Sequence, residues 1–398
     1  MPALPALLTS LLLSAPQHVV PAPENPALPQ MPRPSASRGP FEQLLELNMT
    51  PGNPAVSPKG RLFVTMHPFG VPEIRVAEVL RNGGLRPYPT DDWAHAVGAG
   101  GVGIQSIIGI RCDAKGVLWL LDAGNLGSAG ASAGETRPET PPKLIAWDTM
   151  SERLVRVIHL PPPISSAKSF FQDFAVDTKR DAIYIADPGI GQGFAEAVPS
   201  IVVVYLKTGM ARRALVDSPC VRAEPDASLV IDGREVGLGG EGSARVAARV
   251  GVDPITIDDG FEWVYFGPMH GRSLYKVKAD DLVRPGLPQA ELEARVVRHG
   301  DKPVCDGISI DSKGNVYVTD LAAHAVGVID SSGAYRVLHQ DAEWLQWPDG
   351  LAAGADGKLY VTVNQLHLHP ALNGGESETK PPYRVLRFEP LAPATLGR

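Results

Sequence analysis

The sequence has few of the features that mark several large functional classes. Its three cysteines, Cys112, Cys220 and Cys305, lie far apart and form no C-x-x-C pair. Thiolate zinc centres and dithiol redox pairs need closely spaced sulfurs, so neither is expected, while a single disulfide and three free thiols both stay open. There is no basic excess: 37 Lys and Arg face 44 Asp and Glu, a net charge of −7. A general nucleic-acid binder needs a concentrated basic face, so that class is excluded. No apolar run approaches the roughly 18 residues of a membrane span. There is no Walker loop, and neither a G-x-S-x-G nor a glycine-fingerprint string sits in the strand–turn–helix context its chemistry needs, which leaves serine-hydrolase and nucleotide-driven chemistry without support. What is present is an ordinary globular balance, 44% hydrophobic and 20% charged. The 41 glycines and 38 prolines favour many turns over long helices.

The N-terminus has the outline of an export signal. An apolar stretch runs from Ala6 to Leu13, followed by Ser14, Ala15 and a proline-rich segment to Pro40. Cleavage after Ala15 or after Ala22 would suit small-residue processing, although the first residues carry no Lys or Arg. Residues 1–22 are expected to be a signal peptide and 23–40 a spacer. The mature chain would then be secreted or periplasmic, the alternative being a disordered cytoplasmic tail.

A hairpin recurs along the rest of the chain. Cys305-Asp-Gly-Ile-Ser-Ile-Asp311 leads through Ser-Lys-Gly-Asn to Val316-Tyr-Val-Thr-Asp320, two apolar strands joined by a tight turn. Related copies are Asn53–Thr65, Ile108–Asp122, Gln172–Asp187, Asp253–Phe266 and Asp349–Asn364. A second strand pair follows most copies, such as Lys143–Trp147 with Arg153–His159. Four strands per repeat and six repeats predict an all-β fold, a six-bladed β-propeller over residues 41–390, with 391–398 as a C-terminal tail. Ring closure should pair Phe41–Asn48 with Tyr383–Phe388, because an open ring would expose sheet edges. The long insertions, Gly124–Pro142 and Asp217–Val250, are expected on blade edges.

In a propeller the innermost strands line a central channel, and their starts converge at one mouth. Aligned on the turn, the copies place Gly52, Ile108, Gln172, Asp253, Asp306 and Asp349 at equivalent positions. Three carboxylates and an amide on one ring would raise one another's pKa or recruit a cation. An oxygen-only set such as Gln172, Asp253 and Asp306 suits Ca²⁺, Mg²⁺ or Mn²⁺ rather than Zn²⁺. Asp-Gly and Asp-Pro at strand starts also cap turns, and that reading competes for each residue. The turn residues Asp113, Asp177, Asp258 and Asp311 are expected to be structural. Trp347, just before an inner strand, is expected at the mouth, and Trp347 and Phe171 offer aromatic faces to a cation.

His270, in Gly267-Pro-Met-His-Gly271, follows a strand and is the candidate general acid or base, unless it is a structural hydrogen-bonding residue. His367 and His369, two apart, would share one strand face and invite a metal.

The copies carry a further pattern. Val117-Leu-Trp-Leu-Leu-Asp-Ala-Gly124, Lys143-Leu-Ile-Ala-Trp-Asp148, Ser169-Phe-Phe-Gln-Asp-Phe-Ala-Val-Asp177, Val264-Tyr-Phe-Gly-Pro-Met-His270 and Trp347-Pro-Asp-Gly-Leu351 occur in an order that resembles the major royal jelly/yellow family. The resemblance covers residues 41–390. It implies a six-bladed propeller related to gluconolactonase or regucalcin-type lactonases, in a family whose members include proteins linked to dopachrome conversion and binders of biogenic amines. By that resemblance Asn364, a polar group in a late blade, becomes a ligand-binding candidate; otherwise it is a strand-closing Asn. The related lactonases hold a metal on Glu, Asn and Asp, which fall here on Gly52, Gln172 and Asp253. Only the Asp is kept, so the familiar lactonase chemistry is not expected to transfer whole.

The resulting expectation is an exported propeller binding a small polar or aromatic molecule through Gln172, Asp253, Asp306, Trp347, Asp349 and Asn364. A metal-dependent lactone hydrolase or a dopachrome-type tautomerase using His270 is the enzymatic alternative. A protein-interaction platform is the third class. The sequence leaves the oligomeric state open.

Overall fold

A computed structural model describes residues 31–98, 100–125, 140–238 and 246–398. The signal peptide expected at 1–22 and most of the Gly124–Pro142 insertion lie outside these residues.

Six antiparallel sheets follow one another along the chain, the propeller that the repeats predict. The first four-stranded blade spans Pro51–Pro87, the second Ile107–His159, the third Phe174–Ala214, the fourth Val252–Asp301 and the fifth Cys305–Gln340. The sixth takes Pro348–Ala353, Leu359–Val363 and Tyr383–Phe388 from the end of the chain and Phe41–Leu47 from its beginning. Leu47 pairs with Tyr383 and Glu42 with Arg387, so the ring closes as expected. Ala36–Arg38 adds a fifth strand outside Phe41–Leu47, which draws the last residues of the proline-rich segment into the sheet.

The strand sequences follow from this stacking. Inner hairpins are covered on both faces by neighbouring blades, so Ala182–Asp187 and Val316–Asp320 are buried at every position and read as continuous apolar runs. The outermost strands face water on one side, and Arg153–His159 is mostly exposed. Each fully buried Val, Leu or Ile in these runs contributes about 1.5–3 kcal/mol, and the blades are held by such contacts. Tying the inner hairpins are repeated turn carboxylates. Asp113, Asp177 and Asp311 each accept backbone N–H groups of their own turn. Each also receives a ring donor from the second strand, namely Trp119 Nε1 at 3.2 Å, Tyr184 at 2.9 Å and Tyr317 at 2.9 Å. Asp258 accepts from Glu262 and Trp263. The turn aspartates are structural, as their sequence context suggests.

The residues after the last strand cross the turn end of the channel. Pro393 accepts from Ser312 at 3.0 Å, Ala394 donates to Gly357 at 2.8 Å and Arg398 accepts from Ala353 at 2.9 Å. The Arg398 guanidinium sits 4.2 Å above the Phe261 ring of the fourth blade. The tail thereby links three blades.

The Asp217–Val250 insertion does not stay on a blade edge. It forms two short ribbons, Val230–Ile231 with Arg234–Glu235 and Gly237–Leu238 with Val246–Ala247. Gly237 bridges to Asn373, and Val236, Ala248 and Val250 face the open channel mouth. Apolar residues that would be stranded on an edge are buried here against the third and sixth blades. The three cysteines are buried and free. Among the described residues no helix is long and apolar enough to cross a membrane.

Candidate ligand-binding site

The inner strands build the site through a shared irregularity. In five blades the ladder breaks just after the first residue, between Pro51 and Pro54, Ile107 and Ile110, Val252 and Ile255, Cys305 and Ile308, and Pro348 and Leu351. Two residues per blade leave the ladder there: Gly52-Asn53, Ile108-Gly109, Asp253-Pro254, Asp306-Gly307 and Asp349-Gly350. In the third blade Gln172 and Asp173 occupy the same place, with Asp173 O accepting from Ala186 at 2.8 Å. Threonines on the second strands receive the displaced N–H groups, Thr65 from Asn53 at 2.8 Å and Thr319 from Gly307 at 2.9 Å. Neighbouring bulges touch. A Cβ on Gly307 would stand 2.3 Å from the Asp349 carbonyl oxygen, so only glycine fits between the fifth and sixth blades.

The bulges bring four aspartates together, the half-buried Asp306 with the buried Asp253 and Asp349 from the expected ring and the buried Asp173 beside them. Trp347 Nε1 donates to Asp306 at 2.7 Å. Asn364 Nδ2 donates to Asp349 and, at 3.3 Å, to the Pro51 carbonyl. Gln172 Nε2 lies 3.4 Å from Asp253. Asn53 Nδ2 donates to Asp173, and Arg111 Nη2 lies 3.5 Å from its other oxygen. Asp253 and Asp306 lie close enough to interact electrically, and the charge of Asp306 works against ionisation of Asp253.

Burial sets the electrostatics. It raises the pKa of Asp253 well above the usual carboxylate range, helped by the charges of Asp306, Asp173 and Asp349. Burial does the same to Asp349, helped by Asp306 and Asp173 and opposed by the Asn364 hydrogen bond. Asp306 is pushed up to about 7, mainly by burial, while the Trp347 N–H pulls the other way. Asp173 is also raised by burial, but less freely, because Arg111 and Asn53 favour its anion. The result is a cluster of carboxyls that keep their protons to higher pH than ordinary aspartates do.

A pocket opens over this cluster and encloses about 710 Å³ of empty space up to its mouth. Gln172, Asp306 and Asp349 form its polar end, and Trp347 and His270 also line it. The remaining wall is apolar, from Phe69, Ile108, Phe170, Phe194, Met269 and Leu366 and from the insertion residues Val236, Leu238, Ala248 and Val250. Asp253 lies beneath, reached through Gln172 and Asp306, and Asn364 stands behind Asp349 and orients it. Phe170, rather than the expected Phe171, meets the pocket, and Phe171 is packed in the core. His367 lies within the short 3₁₀ turn Leu366–Leu368 and His369 caps its end, so the two do not share a strand face. His367 stacks on Trp347 and His369 on Phe69, so they part. His270 is buried, and burial with the charges of Arg249 and Lys302 pulls its pKa down to about 3, so its ring is neutral.

Sequence alignment of the repeats misses Asn53, Asp173 and Arg111. The signal for the first two is their position one residue beyond the aligned ring, where a bulge adds a second inward residue. Arg111 is marked by being a lone charge inside an otherwise apolar inner strand, Ile107–Cys112.

Residues 105–379 match the family model described as Major royal jelly protein. The chain belongs to this family. It is 30% identical over 141 residues to Major royal jelly protein 7 of Apis mellifera, covering 32% of this chain. The matched region spans only 30% of that relative's length. Among solved structures it is similar to a gluconolactonase of Xanthomonas campestris, with a TM-score of 0.51 at 14% identity, covering 93% of this chain and 99% of that one. A luciferin-regenerating enzyme gives 0.52 at 11%, covering 90% and 99%. Regucalcin of Agrobacterium tumefaciens, described as a calcium-binding protein, gives 0.50 at 14%, covering 88% and 94%. At such identities these structures establish the shared propeller fold.

The lactonase-type donor set does not fit this site. Gly52 supplies no carboxylate where the resemblance requires Glu, the Gln172 amide nitrogen faces Asp253, and burial with the neighbouring aspartates favours the protonated form of Asp253. Among the described residues no three His, Cys, Asp or Glu side chains are arranged to hold a metal ion.

Proposed function

We propose that this royal jelly family propeller binds a small organic cation with an aromatic or apolar body, such as an arylalkylamine, in the pocket at its channel mouth. The observation that carries this reading is an apolar pocket ending on ionisable carboxylates, Asp306 and Asp349, with the Trp347 indole between wall and floor. An ammonium group would compensate charges that the protein itself leaves in excess, since Arg111 is engaged with Asp173. Because Asp306 titrates near 7, binding should strengthen as pH rises through that value. The apolar stretch in residues 1–22 supports a secreted or periplasmic setting, which N-terminal sequencing of the mature protein tests.

Calorimetry with phenethylamine and its neutral counterpart 2-phenylethanol tests the reading. The amine should bind at least tenfold tighter at pH 8, and Asp349→Asn should remove most of that difference. Equal affinities for the two compounds would sink it.

One observation favours a second reading. Asp306, a carboxyl at about 7 that lines the pocket, is suited to moving protons on a bound molecule, as a tautomerase does. Turnover of dopachrome that is lost in Asp306→Asn would support catalysis; a rate equal to the uncatalysed one would leave binding alone.

A further inference from the structure

His270 is fixed in one tautomer by its surroundings. Its Nδ1 accepts the backbone N–H of Val250 at 3.2 Å, and its own backbone N–H donates to Val250 O at 3.0 Å. A nitrogen that accepts carries no proton, so in the neutral ring the proton sits on Nε2. That Nε2 is buried and has no hydrogen-bond partner among the described residues, although the ring lines the pocket and is only 1% exposed. A buried donor without a partner is unusual in a native protein and calls for an acceptor. His67 repeats the arrangement from the first blade, across the ring from the fourth. Its Nδ1 accepts from Phe69 N–H at 3.2 Å, and it lines the same pocket.

We infer that His270 is a specificity-determining residue whose Nε2–H reads an oxygen acceptor on the ligand, a hydroxyl or a carboxylate, in addition to the cationic group held by the aspartates. The inference rests on the amine-binding reading and adds a second recognition element to the same pocket. A ligand with ammonium and acceptor oxygen would engage both polar sides, and a plain hydrocarbon amine would leave the Nε2–H unpaired. The donor is neutral, so it favours either kind of oxygen.

Four probes on the full chain separate the possibilities: phenethylamine, tyramine, phenylalanine and p-cresol. Wild-type protein should bind tyramine or phenylalanine roughly tenfold tighter than phenethylamine, the size expected for one well-made hydrogen bond. A gain with tyramine assigns the ring hydroxyl, and a gain with phenylalanine assigns the carboxylate. His270→Asn keeps an acceptor for Val250 N–H but removes the Nε2 donor, and should bring the ratio to about one. His270→Gln places an amide N–H near the lost position and should recover part of it. Nitrogen-15 NMR of labelled histidine gives an independent readout, since the Nε2 signal of His270 should move when the acceptor-bearing probe binds. The inference is overturned if neither oxygen adds affinity in the wild type, or if the ratio survives His270→Asn. Phenethylamine binding with no gain for tyramine or phenylalanine would keep the amine reading and reject this one. Binding of p-cresol that needs His270, with no binding of phenethylamine, would do the reverse.

Discussion

Replacing Asp306 with Asn should make the protein more stable at neutral and basic pH. The substitution is nearly isosteric. Its carbonyl oxygen continues to accept from Trp347 Nε1, and its neutral amide removes a charge that works against Asp253. In the folded wild type Asp306 titrates at about 7 against an ordinary value of 3.8. The folded state therefore holds a proton that the unfolded chain has already released, and folding takes it up. The associated stability is fully present below about pH 4 and is lost as pH rises to about 7. The full interval corresponds to about 4 kcal/mol, of which about 3 kcal/mol falls between pH 5 and pH 8. Solvent reaching the carboxylate through the pocket screens part of this, so about 2 kcal/mol is the expected difference. Urea denaturation at pH 5 and pH 8 measures it. The wild type should lose stability over that interval, Asp306→Asn should lose much less, and the two should be closest at pH 5. Parallel pH profiles for the two proteins would refute the raised pKa of Asp306.

Three other outcomes are expected. Gly307→Ala should destabilise by about 2–3 kcal/mol in the same assay, because its Cβ meets the Asp349 carbonyl oxygen at 2.3 Å; a change below about 0.5 kcal/mol would mean that the blades are not so closely apposed. Arg111→Met leaves Asp173 buried without its cation and should cost about 3 kcal/mol at pH 7. That loss should shrink toward pH 5 as Asp173 takes up a proton, and a pH-independent loss would point to packing alone. Dialysis against a chelator should change neither the melting temperature nor amine binding, whereas a stoichiometric Ca²⁺, Mg²⁺ or Mn²⁺ lost together with stability would overturn the donor-set argument.

The blades were legible because each inner hairpin repeats the same turn chemistry. A carboxylate such as Asp177 or Asp311 caps the turn and also holds a ring from the second strand, and these residues lie at fixed offsets in sequence. The converging positions Gln172, Asp253, Asp306 and Asp349 were legible for the same reason, since the turn sets the register. The bulge was not. It changes the number of inward residues per blade from one to two, and that hid Asn53 and Asp173. The insertion's contribution was also hidden, because Val236 and Val250 look like edge-loop residues until the ribbons fold over the mouth. Histidine spacing misled for a conformational reason: Gln365 adopts a left-handed backbone with φ of 55°, so the chain leaves the strand before His367.

The residues after Phe388 tie the fifth and sixth blades together and reach the fourth through Arg398. The ring is therefore fastened twice: by Phe41–Leu47, which completes the sixth sheet, and by this strap across the turns. The two fastenings come from opposite ends of the sequence and share no strand. Loss of the strap should loosen the blades at their turns while the sheet closure still holds, whereas loss of Phe41–Leu47 should open the ring itself.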